Sequence, residues 1–348
     1  MIKYLYLQNK YKKEKLLRII RSLGDRKFMF ISVILILIGF ALLIKGADFL
    51  VDGSSSIAKK FHIPEIIIGL TIISIGTSMP ELFVSITSAL DGHSDMAIGN
   101  VIGSNICNLL LILGVSTIIQ SIAFKRETRL IEIPICLVVT IVFSLICNMG
   151  QDVTRVDAII LMILFVLFII YTIVMAFKGE KFDKEKDEEE NVTKEESKNS
   201  TFKDVIYIIL GIIALKFGGD LTVNNAVNIA EHFNLSEKII SITILAIGTS
   251  LPELVTSVSA AIKGKSDIAI GNILGSNIFN MLLIIGSTAV IKPISYNLSY
   301  NTDLIILALA TIILALFPII PPKNKMTRMN GLIYFILYIG YMIISFVK

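Results

Sequence analysis

A stretch of 39 residues occurs twice in this 348-residue chain: 76–114 and 248–286 align without a gap at an offset of 172, with 24 identical positions. The first copy reads GTSMPELFVSITSALDGHSDMAIGNVIGSNICNLLLILG and the second GTSLPELVTSVSAAIKGKSDIAIGNILGSNIFNMLLIIG. Both keep mainly polar or small residues: Glu81 and Glu253, Asn100 and Asn272, Ser104 and Ser276, Asn108 and Asn280, with paired Gly, Ser, Thr and Pro. The apolar positions drift instead, as in Met79 against Leu251, Phe83 against Val255 and Cys107 against Phe279. A repeat kept for packing alone would preserve the opposite set. Polar motifs repeated inside hydrophobic segments mark a membrane protein built from two related halves.

Composition agrees. Hydrophobic residues make up 54% of the chain and mean hydropathy is +0.79, which excludes an ordinary soluble domain. Apolar runs of spanning length fall near 30–57, 64–90, 96–120, 130–149, 156–177, 204–230, 238–262, 268–291, 302–320 and 330–347. The expected fold is therefore an all-α integral membrane protein with ten transmembrane helices. Five is odd, so the second half must enter the membrane in the opposite sense, giving two inverted five-helix repeats, 29–177 and 204–348.

Basic residues orient the bundle, because cytoplasmic loops accumulate Lys and Arg. One set of alternate loops carries 17 of them, seven in the linker 178–203, while the other set has only Arg155, Lys238, Lys292 and Lys348. The linker, EKFDKEKDEEENVTKEESKNS over most of its length, is too polar to bury a core and is expected to be a cytoplasmic, disordered hinge. Residues 1–28 hold nine Lys or Arg on what this orientation makes the outer side. Two expectations meet that conflict: translation that starts at Met29, or a basic extension lying at a membrane surface.

The repeated residues suit a cation. Pro80 and Pro252 have no N–H, so the carbonyls of Gly76 and Gly248 lose their helical partners and become ligands. Ser74, Ser78, Glu81 and Ser85 share one helical face, as do Ala246, Ser250, Glu253 and Ser257 in the second half. On the following helices Asn100, Ser104 and Asn108, and Asn272, Ser276 and Asn280, form matching faces. The interleaved Gly99, Gly103, Gly271 and Gly275 permit close helix approach. Two carboxylates with hydroxyl, amide and carbonyl oxygens, and no Cys or His on those faces, suit Ca²⁺ or Na⁺ and disfavour zinc or copper. An ionised acid at the bilayer centre costs on the order of 3 kcal/mol, so two retained there imply a function. Their charge matches one Ca²⁺, two Na⁺ or two protons, which is the basis of exchange.

Other residues read as structural. Asn100 and Asn272 are expected to tie helices together, Asp95 and Asp267 to cap helix N-termini, and Asp48 and Asp220, each with a Lys within one turn (Lys45, Lys216), either to form local ion pairs or to take part in gating. Three dispersed cysteines, Cys107, Cys136 and Cys147, read as packing residues.

At GTSMPE…GNVIGSNICN and GTSLPE…GNILGSNIFN the chain resembles the cation/calcium exchanger superfamily, specifically the prokaryotic sodium/calcium exchangers, over 29–348. The resemblance implies an inverted pair of repeats whose first and sixth helices slide across the core. It also implies a calcium site at Glu81 and Glu253 with the backbone carbonyls of Thr77 and Thr249. Sodium sites would use Ser74, Ser78, Ser104, Ala246, Ser250 and Ser276, with Asn108 and Asn280 near the centre. The family often has Asp at the position of Asn280, and this departure leaves Na⁺ or H⁺ open as counter-ion.

The expected function is a Ca²⁺/cation antiporter of the cytoplasmic membrane, multi-pass, not an enzyme, driven by Na⁺ with H⁺ as the alternative. A passive cation channel is the rival from another class. No cofactor beyond the transported ions and no nucleic-acid partner is expected; a monomer is one expectation, and the oligomeric state is left open.

Overall fold

The computed structural model describes residues 2–92, 94–150, 152–184, 197–233, 246–321 and 323–347. The elements in the first half are α1 (Ile2–Lys60), α2 (Glu65–Thr77), α3 (Met79–Leu90), α4 (94–119), α5 (Thr128–Gly150) and α6 (Arg155–Lys184). In the second half they are α7 (Ser197–His232), α8 (Ala246–Thr249), α9 (Leu251–Ile262), α10 (Ser266–Ile291), α11 (Asn301–Leu316) and α12 (Arg328–Val347). Four two-residue strands cap the bundle: β1 (Ile122–Ala123), β2 (Asp152–Val153), β3 (Ile294–Ser295) and β4 (Lys325–Met326).

Among the described residues, eight helices are long and apolar enough to cross a membrane, and nine if the bent pair α2–α3 counts as one span. The protein is a multi-pass membrane protein. The expected span 238–262 is represented by α8 and the short apolar α9, because 238–245 lies outside the described residues. Of the linker, 178–184 and 197–203 continue the flanking helices rather than forming a hinge, and 185–196 lies outside the described residues. At the other end, α1 runs unbroken from Ile2 through the first span.

The helices sort by burial as their sequences demand. Every described residue of α10 from Ile268 to Phe279 is buried, and much of α4 is too, so the repeated motifs occupy the centre. Helices α6 and α12 instead turn Ile159, Ile163, Leu167 and Ile170, and Ile333, Ile336 and Ile343, outward. Apolar side chains facing out along spanning helices are matched to lipid.

Contacts between the halves are reciprocal. Strand β1 pairs with β4 and β2 with β3, both antiparallel, so each half's first strand meets the other's second. Helices α1 and α7 cross the same way: Gly218 approaches the Gly39 carbonyl, and Gly46 approaches that of Gly211. A Cβ at Gly46 would sit 2.9 Å from the Gly211 carbonyl oxygen, so only glycine lets the backbones meet there. These two helices share a smaller apolar cluster with Leu43, Leu50, Ile208 and Leu215, which also takes in Ile68 and Ile73 of α2, Ala260 of α9 and Ile268 of α10.

Candidate cation site

The two prolines break their helices as the sequence requires. Pro80 is the second residue of α3 and Pro252 the second of α9; the residues before the helices, Ser78 (φ −85°, ψ 6°) and Ser250 (φ −87°, ψ 7°), leave helical geometry. Helices α2 and α3 meet at a 46° bend. Each short helix then places its Glu one turn past the break, and each ends in the same glycine turn, with φ +94° at Gly92 and +71° at Gly264.

Both carboxylates are fully enclosed and each is held by the opposite half. The Ser78 hydroxyl donates to Glu253 Oε1 at 2.9 Å, and the Ser250 hydroxyl donates to Glu81 Oε1 at 3.4 Å. Glu81 thus lies against the residue three before Glu253, and Glu253 against the residue three before Glu81. Helix α4 packs on α8 and α9, and α10 on α2 and α3, which brings the Ser and Asn faces to the same centre.

Six buried oxygens there make no hydrogen bond: Glu81 Oε2, Glu253 Oε2, Ser104 Oγ, Ser276 Oγ, Asn108 Oδ1 and Asn280 Oδ1. They are three pairs at the repeat offset, drawn from the residues the sequence singles out. Buried oxygens without donors are costly unless a cation meets them. The chemistry of this set, two acids with neutral oxygens, fits a hard cation cargo. Among the described residues no group of three or more His, Cys, Asp or Glu assembles, so a softer metal has no site of that kind.

The remaining expected ligands lie around this centre. Ser74 is buried and its hydroxyl donates to the Thr71 carbonyl at 3.2 Å. The Thr77 hydroxyl donates across the halves to Asn272 Oδ1 at 3.2 Å, which ties the end of α2 to α10. Thr249 ends α8 immediately before the second break, and Ala246 begins that helix.

Asn100 and Asn272 tie helices as expected: Asn100 Nδ2 donates to Ser85 Oγ at 3.2 Å, and Asn272 Nδ2 to Ser257 Oγ at 2.9 Å. Two other amides escaped the sequence reading. Asn105 and Asn277 are fully buried and bond across the halves, Asn108 Nδ2 donating to Asn277 Oδ1 at 3.0 Å and Asn280 Nδ2 to Asn105 Oδ1 at 2.9 Å. The signal was present, since both sit at the repeat offset, but neither lies on the face with Ser104 and Asn108. The helices widen to π turns at Cys107–Ile112 and Asn280–Ile284, a distortion common at functional sites.

Several structural expectations are corrected. Asp48 takes Lys263 at 3.0 Å and the Ser259 hydroxyl at 3.1 Å rather than Lys45, because both partners come from the end of α9 packed against α1. Lys263 also bridges Asp52 at 2.8 Å. Lys216 lies 5.2 Å from the Phe83 ring centre, a cation–π contact. Asp267 falls inside the first turn of α10, after the N-cap Lys265, and pairs with Lys125 at 2.6 Å. Helix α4 begins at Ser94, which likewise puts Asp95 inside the helix. The Gly271 and Gly275 contacts join α10 to α2 of the other half: Gly271 meets the Ile66 carbonyl and Gly275 meets Ser74. Gly99 meets the Tyr300 ring instead. The three cysteines are buried and unpaired, as expected.

Outside the spans, burial pulls the Lys125 ammonium down, but its hydrogen bond to Asp267 and that carboxylate's charge outweigh the loss and lift its pKa above the ordinary 10.5. Lys265 moves the other way: burial, with Lys263 and Lys59 nearby, outweighs Asp52 and Glu65.

Comparison with known proteins agrees with this geometry. The family described as sodium/calcium exchanger protein matches residues 31–174 and 203–347, one stretch in each half. CaxA of Alkalimonas amylolytica is 36% identical over 91% of this chain and 99% of its own length. The sodium/calcium exchanger MaX1 of Methanosarcina acetivorans is 31% identical over 91% of this chain and 99% of its own. Among solved structures, the sodium-calcium exchanger NCX_Mj soaked with 10 mM Na⁺ and 10 mM Sr²⁺ superimposes with a TM-score of 0.77 at 30% identity, covering 92% of this chain and 99% of that one. With a profile match across both halves and relatives similar over nearly their whole length, this chain belongs to the sodium/calcium exchanger protein family.

Proposed function

We propose that the chain is a secondary active antiporter that exchanges Ca²⁺ for Na⁺ across the cytoplasmic membrane by alternating access. Glu81 and Glu253 hold Ca²⁺ at the midplane of ten spans in two inverted repeats, and export of Ca²⁺ is driven by Na⁺ moving inward. The observation that carries this reading is the set of six unpartnered buried oxygens, three from each half, around two acids that bond across the halves. The acids together carry the charge that one Ca²⁺ or two Na⁺ neutralises. The backbone carbonyls of Thr77 and Thr249 add ligands at the helix breaks. Ser74, Ser78, Ser250, Ser104, Ser276, Asn108 and Asn280, with the backbone at Ala246, supply the oxygens that Na⁺ requires. Movement falls to α1 and α7, whose close glycine crossing supports motion of the two as a unit.

The antiparallel crossing of α1 and α7, Gly39 against Gly218 and Gly46 against Gly211, supports inversion, since a two-fold axis in the membrane plane sets equivalent helices antiparallel. A Ca²⁺/H⁺ antiporter is the second reading. Asn at both 108 and 280 favours it, because the two Glu are then the only acids of the site among the described residues and can carry two protons. The deciding experiment uses proteoliposomes of the full chain: ⁴⁵Ca²⁺ uptake driven by an outward Na⁺ gradient at equal pH, against a pH gradient without Na⁺. Uptake only in the first arm is expected, and uptake only in the second replaces Na⁺ by H⁺.

A further inference from the structure

Asn105 and Asn277 explain how two neutral amides come to face a cation with the correct end. A side-chain amide has a carbonyl that attracts a cation and an NH₂ of the same shape that repels it, so a buried Asn ligand needs its orientation fixed. The network here fixes it from the backbone. The main-chain carbonyl of Asn105 can only accept, and it receives Asn277 Nδ2 at 3.4 Å. That turns Asn277 Oδ1 to the other side, where it can only accept, and it receives Asn108 Nδ2 at 3.0 Å. Asn108 Oδ1 is left pointing away from this bond, buried and without a partner. The second half repeats the sequence: Asn105 Nδ2 donates to the Asn277 carbonyl at 3.3 Å, Asn105 Oδ1 receives Asn280 Nδ2 at 2.9 Å, and Asn280 Oδ1 is left free.

From this geometry we infer that Asn105 and Asn277 are positioning residues, each locking the carbonyl of the other half's site amide toward the ion. The inference rests on the exchanger reading above. Both residues are fully buried, and against their Oδ1 atoms a reversed Asn108 or Asn280 amide would set oxygen against oxygen and aim its NH₂ at the cation. The linkage also crosses the halves, so the ligand face of each repeat is set by the other. A purely adhesive role, common for Asn between membrane helices, would not depend on which end of Asn108 or Asn280 faces the site.

The test exploits a carboxylate, whose two oxygens make orientation irrelevant. Ca²⁺ affinity is measured by calorimetry on the full-length protein in detergent, with the KM and maximal rate of ⁴⁵Ca²⁺ flux in proteoliposomes, for Asn105→Leu in two backgrounds, wild type and Asn280→Asp. Outer partners of metal ligands typically govern affinity by about 10- to 100-fold, so Asn105→Leu is expected to weaken Ca²⁺ binding and raise KM by about tenfold in the wild-type background. In the Asn280→Asp background the same change is expected to cost no more than about twofold, because nothing remains to be oriented. If Asn105→Leu fails to fold, Asn105→Ala carries the same comparison. Equal losses in both backgrounds, or none in the wild type, would overturn the positioning role. A wild-type protein that binds neither Ca²⁺ nor Na⁺ would instead overturn the exchanger reading on which it rests.

Discussion

The Ser78 hydroxyl in the first half donates to the Glu253 carboxylate in the second at 2.9 Å, and its counterpart from Ser250 to Glu81 is longer, at 3.4 Å. The two halves therefore hold each other's acids, but unequally. Hydrogen bonds to charged groups contribute about 1.5–3 kcal/mol. Ser78→Ala should accordingly weaken Ca²⁺ binding by roughly tenfold or more, and Ser250→Ala by less, as calorimetry on the purified protein would show.

A second prediction concerns the position where both halves carry Asn. Asn280→Asp adds a third carboxylate, on the second half's side of the site, while Glu81 and Glu253 are kept. It should change the Na⁺ dependence of Ca²⁺ flux by a larger factor than it changes Ca²⁺ affinity. Flux measured over a series of Na⁺ concentrations checks this, and unchanged Na⁺ dependence would count against a ligand role for Asn280.

The crossing of α1 and α7 gives a third. A methyl at Gly46 would lie 2.9 Å from both the Gly211 carbonyl oxygen and the Leu215 nitrogen, backbone atoms that cannot step aside. Overpacking of this kind costs about 1–3 kcal/mol. Gly46→Ala should lower Tm in detergent and slow transport, whereas Gly340→Ala, where nothing lies within 4 Å, should do neither.

The Lys125–Asp267 pair gives a fourth, with a definite sign in pH. The Lys125 pKa stands above its ordinary value when folded, so the pair's contribution is complete at neutral pH and is lost only as pH rises through the raised value. Lys125 is more than half exposed, which limits that contribution to about 1 kcal/mol or less. The Tm difference between wild type and Lys125→Met should persist at neutral pH and shrink only as pH rises above the ordinary lysine pKa of 10.5.

The parts of this molecule legible in the sequence are those governed by local chemistry. Pro80 and Pro252 announce the helix breaks because a missing N–H acts within one turn, and the breaks fall at Ser78 and Ser250. Repetition exposed the acids and the oxygen faces, since those residues recur while their apolar neighbours drift. What stayed hidden depends on contacts between distant elements. Asp48 has Lys45 within a turn yet pairs with Lys263, 215 residues away, because the end of α9 packs against α1. Asp267 looks like a cap beside Ser266, but Lys125 from the other half decides its role. Asn105 and Asn277 recur as faithfully as Asn108 and Asn280, but helical periodicity turns them off the ligand face. Only the interlocking of the halves shows that they face each other.

The central claim is that Glu81 and Glu253 bind Ca²⁺ in exchange for Na⁺. Its most direct test is ⁴⁵Ca²⁺ uptake into Na⁺-loaded proteoliposomes containing the wild type, Glu81→Gln or Glu253→Gln. The expected result is wild-type uptake that rises with internal Na⁺ and is abolished by either substitution. Uptake that needs no ion gradient and follows voltage alone, or full activity in either variant, would contradict it.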